Sequence, residues 1–166
     1  FLPIHEDEFG TEIFSSKDMC LISHIDKLIE AGIDAFKIEG RMKTLSYVSG
    51  VTRVYREAID TYYREKPFKT NPKWLEELNK ISHRDYSTGF FFDNLQTEAQ
   101  VKKSTVMRTS QFLAIIIEIL PEEGWIKVDV RSKIKKNDLI EIVKTSIKDD
   151  IVTTIEKILL DGQELI

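Results

Sequence analysis

One cysteine, seven glycines and four prolines among 166 residues exclude several classes of protein at the outset. The single thiol, Cys20, has no partner for an internal disulfide, which fits a reducing compartment and not a disulfide-stapled secreted fold. Gly32, Gly40 and Gly50 are too sparse to build a phosphate-binding loop or a dinucleotide fingerprint. No Gly-x-Ser-x-Gly elbow occurs, so a hydrolase serine has no support. His5, His24 and His83 stand far apart and form no HExxH zinc motif. Long apolar runs are missing too. Phe112 to Leu120 is nine residues long and contains Glu118, well short of the roughly 20 residues that cross a bilayer, and reads as a buried strand. The opening Phe1-Leu2-Pro3-Ile4-His5-Glu6 lacks a basic n-region and an initiator Met, so no signal peptide is read and a cut edge or processing point is expected there. No membrane association is expected, and the chain is assigned to the cytoplasm.

What is present is the balance of a globular protein, 42% hydrophobic and 31% charged, with apolar mass for one ordinary domain or two small ones. The net charge of −4 is mild and argues against bulk electrostatic attraction to nucleic acid as the sole function. Its distribution says more. Residues 1–100 hold 13 basic and 17 acidic side chains, whereas residues 101–166 hold 11 of each. In that neutral part Lys127, Arg131, Lys133, Lys135 and Lys136 crowd one stretch opposed only by Asp129. Such a cluster suits phosphates, or it is a solvated loop between strands.

Along the chain, Thr11–Phe14 reads as a strand. Ser15 with Asp18 has the form of a helix-start box, followed by Leu21, Ile22, Ile25, Leu28 and Ile29 at helical spacing and Gly32 as the stop. Ala35–Ile38 reads as the next strand, and Thr44 to about Tyr63 as a long helix with Tyr47, Val48, Val51, Val54, Tyr55, Ala58, Ile59 and Tyr62 on its apolar face. Strand, helix, strand, helix with short connections is the grammar of a parallel α/β sheet, whose active groups gather at the strand ends. Lys66–Pro72 is a linker, and Asn71 with Pro72 opens a helix over 73–81. From Thr105 β-branched runs take over at 114–119, 125–130, 139–143 and 151–158, separated by turn signals. The expectation is α/β followed by β: the last βα units of a TIM-like barrel over 1–66, a linker with one helix and an aromatic-rich segment over 67–104, and a small antiparallel β-barrel over 105–166, with a returning strand cut off at the end.

Two polar groups sit where such a fold places its chemistry. Ser15, Ser16, Lys17 and Asp18 follow the first strand. Lys37, Glu39, Arg41 and Lys43 surround the end of the second, where Lys37 and Glu39 share one strand face. Arg41 suits a bidentate grip on carboxylate or phosphate, unless the set is a structural ion pair at a rim. Cys20 and His24 lie four residues apart, so a thiolate–imidazole pair requires that this stretch be helical; a small core cysteine is the plainer alternative. His83, Arg84 and Tyr86 suit a ligand contact, or equally a helix cap and packing at a junction.

Longer motifs carry a resemblance. Phe1-Leu2-Pro3-Ile4-His5-Glu6-Asp7-Glu8-Phe9-Gly10-Thr11, Ser15-Ser16-Lys17-Asp18-Met19-Cys20-Leu21-Ile22 and Phe36-Lys37-Ile38-Glu39-Gly40-Arg41-Met42-Lys43 resemble ordered motifs of the collagenase-like peptidase family U32. Tyr55-Arg56-Glu57-Ala58-Ile59-Asp60 and the Ser82-His83-Arg84-x-Tyr86-x-Thr88-Gly89-Phe90 stretch match it as well, so the likeness spans residues 1 to about 92. Residues 105–166 resemble the family's C-terminal β domain in pattern alone. The resemblance implies a barrel that begins upstream of Phe1 and a full-length enzyme. The branch it most resembles hydroxylates the wobble uridine of tRNA with prephenate, and other members act on ribosomal RNA. It also implies an iron–sulfur cluster held by cysteines, with Cys20 in the position of the last ligand and the others outside this chain, so this chain alone is expected to hold no cofactor. By the same resemblance Glu39, Arg41, Lys43, Lys17 and Asp18 are site residues for a small anionic substrate such as prephenate. Arg131, Lys133, Lys135 and Lys136 would meet tRNA or rRNA. A collagenase-like peptidase and a non-catalytic RNA- or partner-binding module are the alternatives.

Overall fold

The computed structural model describes residues 4–7, 10–13, 17–92, 110–160 and 162–165. The chain divides into two compact units, Phe1–Thr109 and Ser110–Ile166. The expected boundary at 104/105 lies outside the described residues.

Three helices organise the first unit. α1 (Ile25–Glu30) follows a single 3-10 turn over Ile22–His24. α2 (Leu45–Arg64) begins at Thr44, whose hydroxyl accepts the amide of Tyr47 at 3.3 Å. α3 (Pro72–Lys80) begins at Asn71, whose side-chain oxygen accepts the amide of Lys73 at 3.1 Å, with Pro72 in the first turn where its missing N–H costs nothing. These are the caps that the sequence signals. Val51, Val54, Ala58 and Thr61 of α2 recur at intervals of three and four and are buried, as one helix stripe must be. They share the core with Ile22, Ile25 and Leu28 and with Trp74 and Leu78 of α3. Burial of each such large apolar side chain contributes about 1.5–3 kcal/mol, so these residues carry the stability of the unit. An ion pair, Arg53–Glu77 at 2.7 Å, joins α2 to α3, and Lys80 joins Glu77 at 2.6 Å.

The strands depart from the sequence pattern. β1 (Ile4–Asp7) and β2 (Gly10–Ile13) form an antiparallel hairpin, so the strand expected at Thr11–Phe14 exists but pairs backwards along the chain. Ala35–Ile38, expected as a parallel neighbour, forms no strand. It is exposed in alternation, with Phe36 and Ile38 half-buried and Lys37 and Glu39 out in solvent. A strand needs another backbone for its N–H and C=O groups, and none is beside it among the described residues. The parallel pairing of the unit is instead β3 (Asp18–Met19) with β4 (Tyr86–Ser87), with Asp18 opposite Tyr86 and Met19 opposite Ser87. Asp18 is therefore a strand residue and not part of a first helical turn, while Ser15, the other half of the expected helix-start box, lies outside the described residues.

In the second unit β5 (Ala114–Leu120) pairs antiparallel with β6 (Trp125–Val130), with a bulge between Ile116 and Glu118. β7 (Leu139–Ile142) pairs with β8 (Ile151–Thr154), and β9 (Ile158–Leu160) with β10 (Gln163–Leu165). The run read over 151–158 is thus two strands, and the returning strand expected to be cut off is seen over three residues as β10, after a turn at Gly162 with φ +81°. Every sheet has two strands, so a closed barrel does not occur among the described residues. None of the described residues of this unit is buried.

Candidate functional site

The site is built on the β3–β4 ladder. The amide of Asp18 donates to the carbonyl of Asp85 at 3.0 Å and that of Cys20 to the carbonyl of Ser87 at 2.8 Å, so the extended backbone runs through Cys20. Strand alternation puts Asp18 and Cys20 on one face and Met19 on the other. Met19 is 70% exposed, while Asp18 and Cys20 are partly covered.

Arg84 clasps Asp18. Its backbone amide donates to one carboxylate oxygen at 3.1 Å, and its Nε and a terminal nitrogen donate to the other at 2.9 and 2.8 Å. Lys43 approaches the same carboxylate at 3.7 Å and lies 4.9 Å from the centre of the Tyr47 ring. Burial by itself raises the Asp18 carboxyl, but the Arg84 hydrogen bonds and the two cations outweigh it and hold it below its ordinary value. Asp18 is an anion here, with its charge already matched.

Cys20 faces α2. The hydroxyl of Tyr55 donates to its Sγ at 3.8 Å and accepts the amide of Leu21 at 3.1 Å. Burial pushes the thiol up, against hydrogen bonds from the Ile22 amide and Tyr55 that favour the thiolate. Burial likewise raises the phenols of Tyr47, Tyr55 and Tyr86, and the neighbouring Cys20 adds to all three shifts. The Tyr86 hydroxyl donates to the carbonyl of Leu78 at 3.1 Å, and its ring stacks on His83 with centroids 4.0 Å apart. His83 is 2% exposed and its Nδ1 lies 2.6 Å from the carbonyl of Arg84. A cavity of about 340 Å³ opens beside the thiol, lined by Lys17, Cys20, His24, Tyr86, Ser87 and Thr88 among others.

The structure thus brings together Lys17, Asp18, Cys20, Lys43, His83, Arg84 and Tyr86 and leaves two expected residues at the margin. Glu39 accepts the amide of Arg41 at 2.9 Å, and both side chains are exposed. Cys20 lies ahead of the helix and not in it, so the four-residue spacing to His24 brings no thiolate–imidazole hydrogen bond. The His24 ring packs against Phe92 at 4.7 Å instead. Tyr47 and Tyr55 belong to the site although their spacing reads as apolar helix face. The one signal for them is chemical, since a buried phenol needs a partner for its hydroxyl. In the second unit Arg131 pairs with Asp129, and Lys133, Lys135 and Lys136 are exposed in the loop between β6 and β7.

The family model described as peptidase family U32 matches residues 3–101, which include every element of this site. The chain belongs to peptidase family U32. Among curated U32-like relatives, the tRNA hydroxylation protein P1 of Bacillus subtilis is 36% identical over 165 residues, covering 98% of this chain and 39% of that protein. The tRNA hydroxylation protein P of Escherichia coli is 42% identical over 90 residues, 54% of this chain and 19% of the relative. A collagenase of Porphyromonas gingivalis is 37% identical over 83 residues, 48% of this chain and 22% of its own length. The chain therefore spans less than half the length of these relatives. The second unit lies beyond the family match but within the alignment to the B. subtilis protein. No solved structure matches the chain. Among the described residues no helix is long and apolar enough to cross a membrane.

Proposed function

We propose that this chain is part of a cytoplasmic U32 enzyme that hydroxylates RNA, the wobble uridine of tRNA in particular, with prephenate as the oxygen-bearing co-substrate. The observation that carries this reading is the alignment of nearly the whole chain, second unit included, with a relative named as a tRNA hydroxylation protein. In the full-length protein the first unit completes a TIM-like barrel and the second a small β-barrel.

Cys20 fits the role of one iron ligand. Its sulfur borders a cavity and receives hydrogen-bond donors from Tyr55 and the Ile22 amide, the surroundings of a ligand sulfur. Burial disfavours its thiolate, and a bound cation offsets that cost. It is this chain's one cysteine, so the remaining ligands belong to other parts of the protein. A cluster supplies electron-transfer or Lewis-acid chemistry when bound. The chain's own residues do the rest. Lys17 and Lys43 attract the carboxylates of a small anionic substrate, Arg41 and Glu39 add a cation and a proton-exchanging carboxylate from the exposed margin, and Asp18 with Arg84 fixes the strand that carries the thiol. Arg131, Lys133, Lys135 and Lys136 meet RNA phosphates.

The test is genetic. Deleting the gene and analysing tRNA nucleosides by mass spectrometry should remove hydroxylated wobble uridine, and an unchanged nucleoside profile excludes the reading. The relative named collagenase favours a peptidase as the second reading. Purified full-length protein that cleaves gelatin, and loses this on one substitution at the site, would establish it. For the basic loop, reversing Lys133, Lys135 and Lys136 to Glu should weaken tRNA binding and flatten its salt dependence. The log–log slope should fall by about 0.7–0.9 for each phosphate no longer neutralised.

A further inference from the structure

We propose that the consecutive rings of Phe90, Phe91 and Phe92, together with His24 and Lys27, form a stacking platform for unpaired nucleotides of an RNA substrate. This rests on the RNA reading above and adds to it the surface that holds the strand at the mouth of the cavity.

The chain turns directly after β4. Gly89 takes φ +57°, and the amide of Phe91 donates to the carbonyl of Thr88 at 3.3 Å. The turn sets the three rings beside Thr88 and His24, both of which line the cavity of about 340 Å³. The rings stay in water: Phe90 is 69% exposed, Phe91 40% and Phe92 38%. Adjacent rings left this open forgo the burial that stabilises a core, and contiguous exposed apolar surface marks a contact site. Phe91 and Phe92 meet edge to face at 4.9 Å, and the His24 ring braces both, at 6.4 Å from Phe91 and 4.7 Å from Phe92. Phe90 makes no ring contact among the described residues, so no neighbouring ring takes its face.

Rings alone would suit any apolar partner, and the cations narrow the choice. Asp26 and Glu30 share α1 with Lys27, yet it is Nζ of Lys27 that lies over the Phe92 ring, 4.7 Å from its centre. Lys17 lines the adjoining cavity. An apolar protein face laid on the rings would bury the Lys27 ammonium without a counter-charge. A single nucleic-acid strand answers both features, because its bases stack on the rings and its phosphates meet the ammonium groups. An enzyme that acts on a base also needs that base out of its stack, and rings at the pocket mouth hold the neighbours of the base apart from a duplex.

The experiment uses the full-length protein that contains this chain. Binding of a tRNA anticodon stem-loop, and of a blunt RNA duplex without unpaired bases, is measured over a salt series for the wild type, Phe90→Ala, Phe90→Trp and Lys27→Gln. Phe90→Ala should weaken stem-loop binding roughly 5- to 150-fold at an unchanged salt slope, with duplex binding and melting temperature as in the wild type. Lys27→Gln should lower the slope by about 0.7. Stem-loop affinity of Phe90→Ala equal to that of the wild type overturns the platform and leaves the RNA reading standing. An equal loss on stem-loop and duplex overturns it as well, because the ring then acts through the fold, and so does an unchanged slope in Lys27→Gln. A wild-type protein that binds neither RNA overturns both readings. Phe90→Trp covers the case in which the alanine variant does not fold. It should bind as the wild type does, with added tryptophan emission that the stem-loop quenches, and emission that the stem-loop leaves unmoved overturns the proposal.

Discussion

Arg84 and Asp18 meet through three nitrogens, two of them on a planar guanidinium, and this clasp locks the two short strands at one point. Replacing Arg84 by Ala removes charge-assisted hydrogen bonds from a carboxylate that stays mostly covered, and should lower unfolding free energy by about 1–2 kcal/mol in a urea titration. The pH dependence follows in sign. The folded-state pKa of Asp18 lies below its ordinary 3.8, so the stabilisation is complete above that value and is lost as pH falls through the lower folded one. Thermal melts below about pH 4 should therefore decline, and Asp18→Asn should flatten that decline. Cys20 shifts the other way: its alkylation by iodoacetamide should rise with a midpoint above the ordinary 9.0. At this scale the sequence names Asp18, Cys20, Lys43 and Arg84 by type and motif. It hides Tyr55, because a tyrosine on a buried stripe counts as apolar until its hydroxyl is placed.

Helices are the elements most legible in the sequence, since their signals are local. Thr44, Asn71, Pro72 and Gly32 mark ends that the structure keeps, and the stripe of α2 needs nothing beyond its own residues to be seen. Strands are less legible because their partners lie elsewhere in the chain. Ala35–Ile38 has the composition of a strand and lacks a neighbour among the described residues. Asp18–Met19 is too short to show a period, yet gains its partner from Tyr86–Ser87. Gly50 gives a test of packing over propensity. An alanine inside a helix is favoured over glycine by about 1 kcal/mol, but here its Cβ would stand 2.7 Å from Cδ1 of Ile81. Cδ1 is the far end of a half-buried side chain that can turn aside, so Gly50→Ala should leave the melting temperature close to the wild type, the clash offsetting the helical gain. Adding Ile81→Val, which removes that methyl, should let the gain show as a higher melting temperature.

At the scale of the whole molecule the two units differ in what holds them. The first has a core of helix side chains around Trp74, Ile22, Ile25 and Val54. The second is three hairpins whose Ile117, Ile119, Val130, Val152 and Leu160 each keep more than half of their surface in water. Two-stranded hairpins are marginal in water without a buried face. Residues 110–166 expressed alone should thus bind a hydrophobic dye and melt without a cooperative transition. Residues 17–92 should melt cooperatively, and Trp74→Ala should cost them about 3–5 kcal/mol. The ladder that seats Asp18 beside Tyr86 has one more consequence. Because it brings the start and the finish of this segment side by side, a short linker could join them and new termini be opened at exposed Asp34 without disturbing the helical core. Such a circular permutant would retain the thiol and its clasp on a rearranged connectivity, separating what the local geometry requires from what the order of the chain supplies.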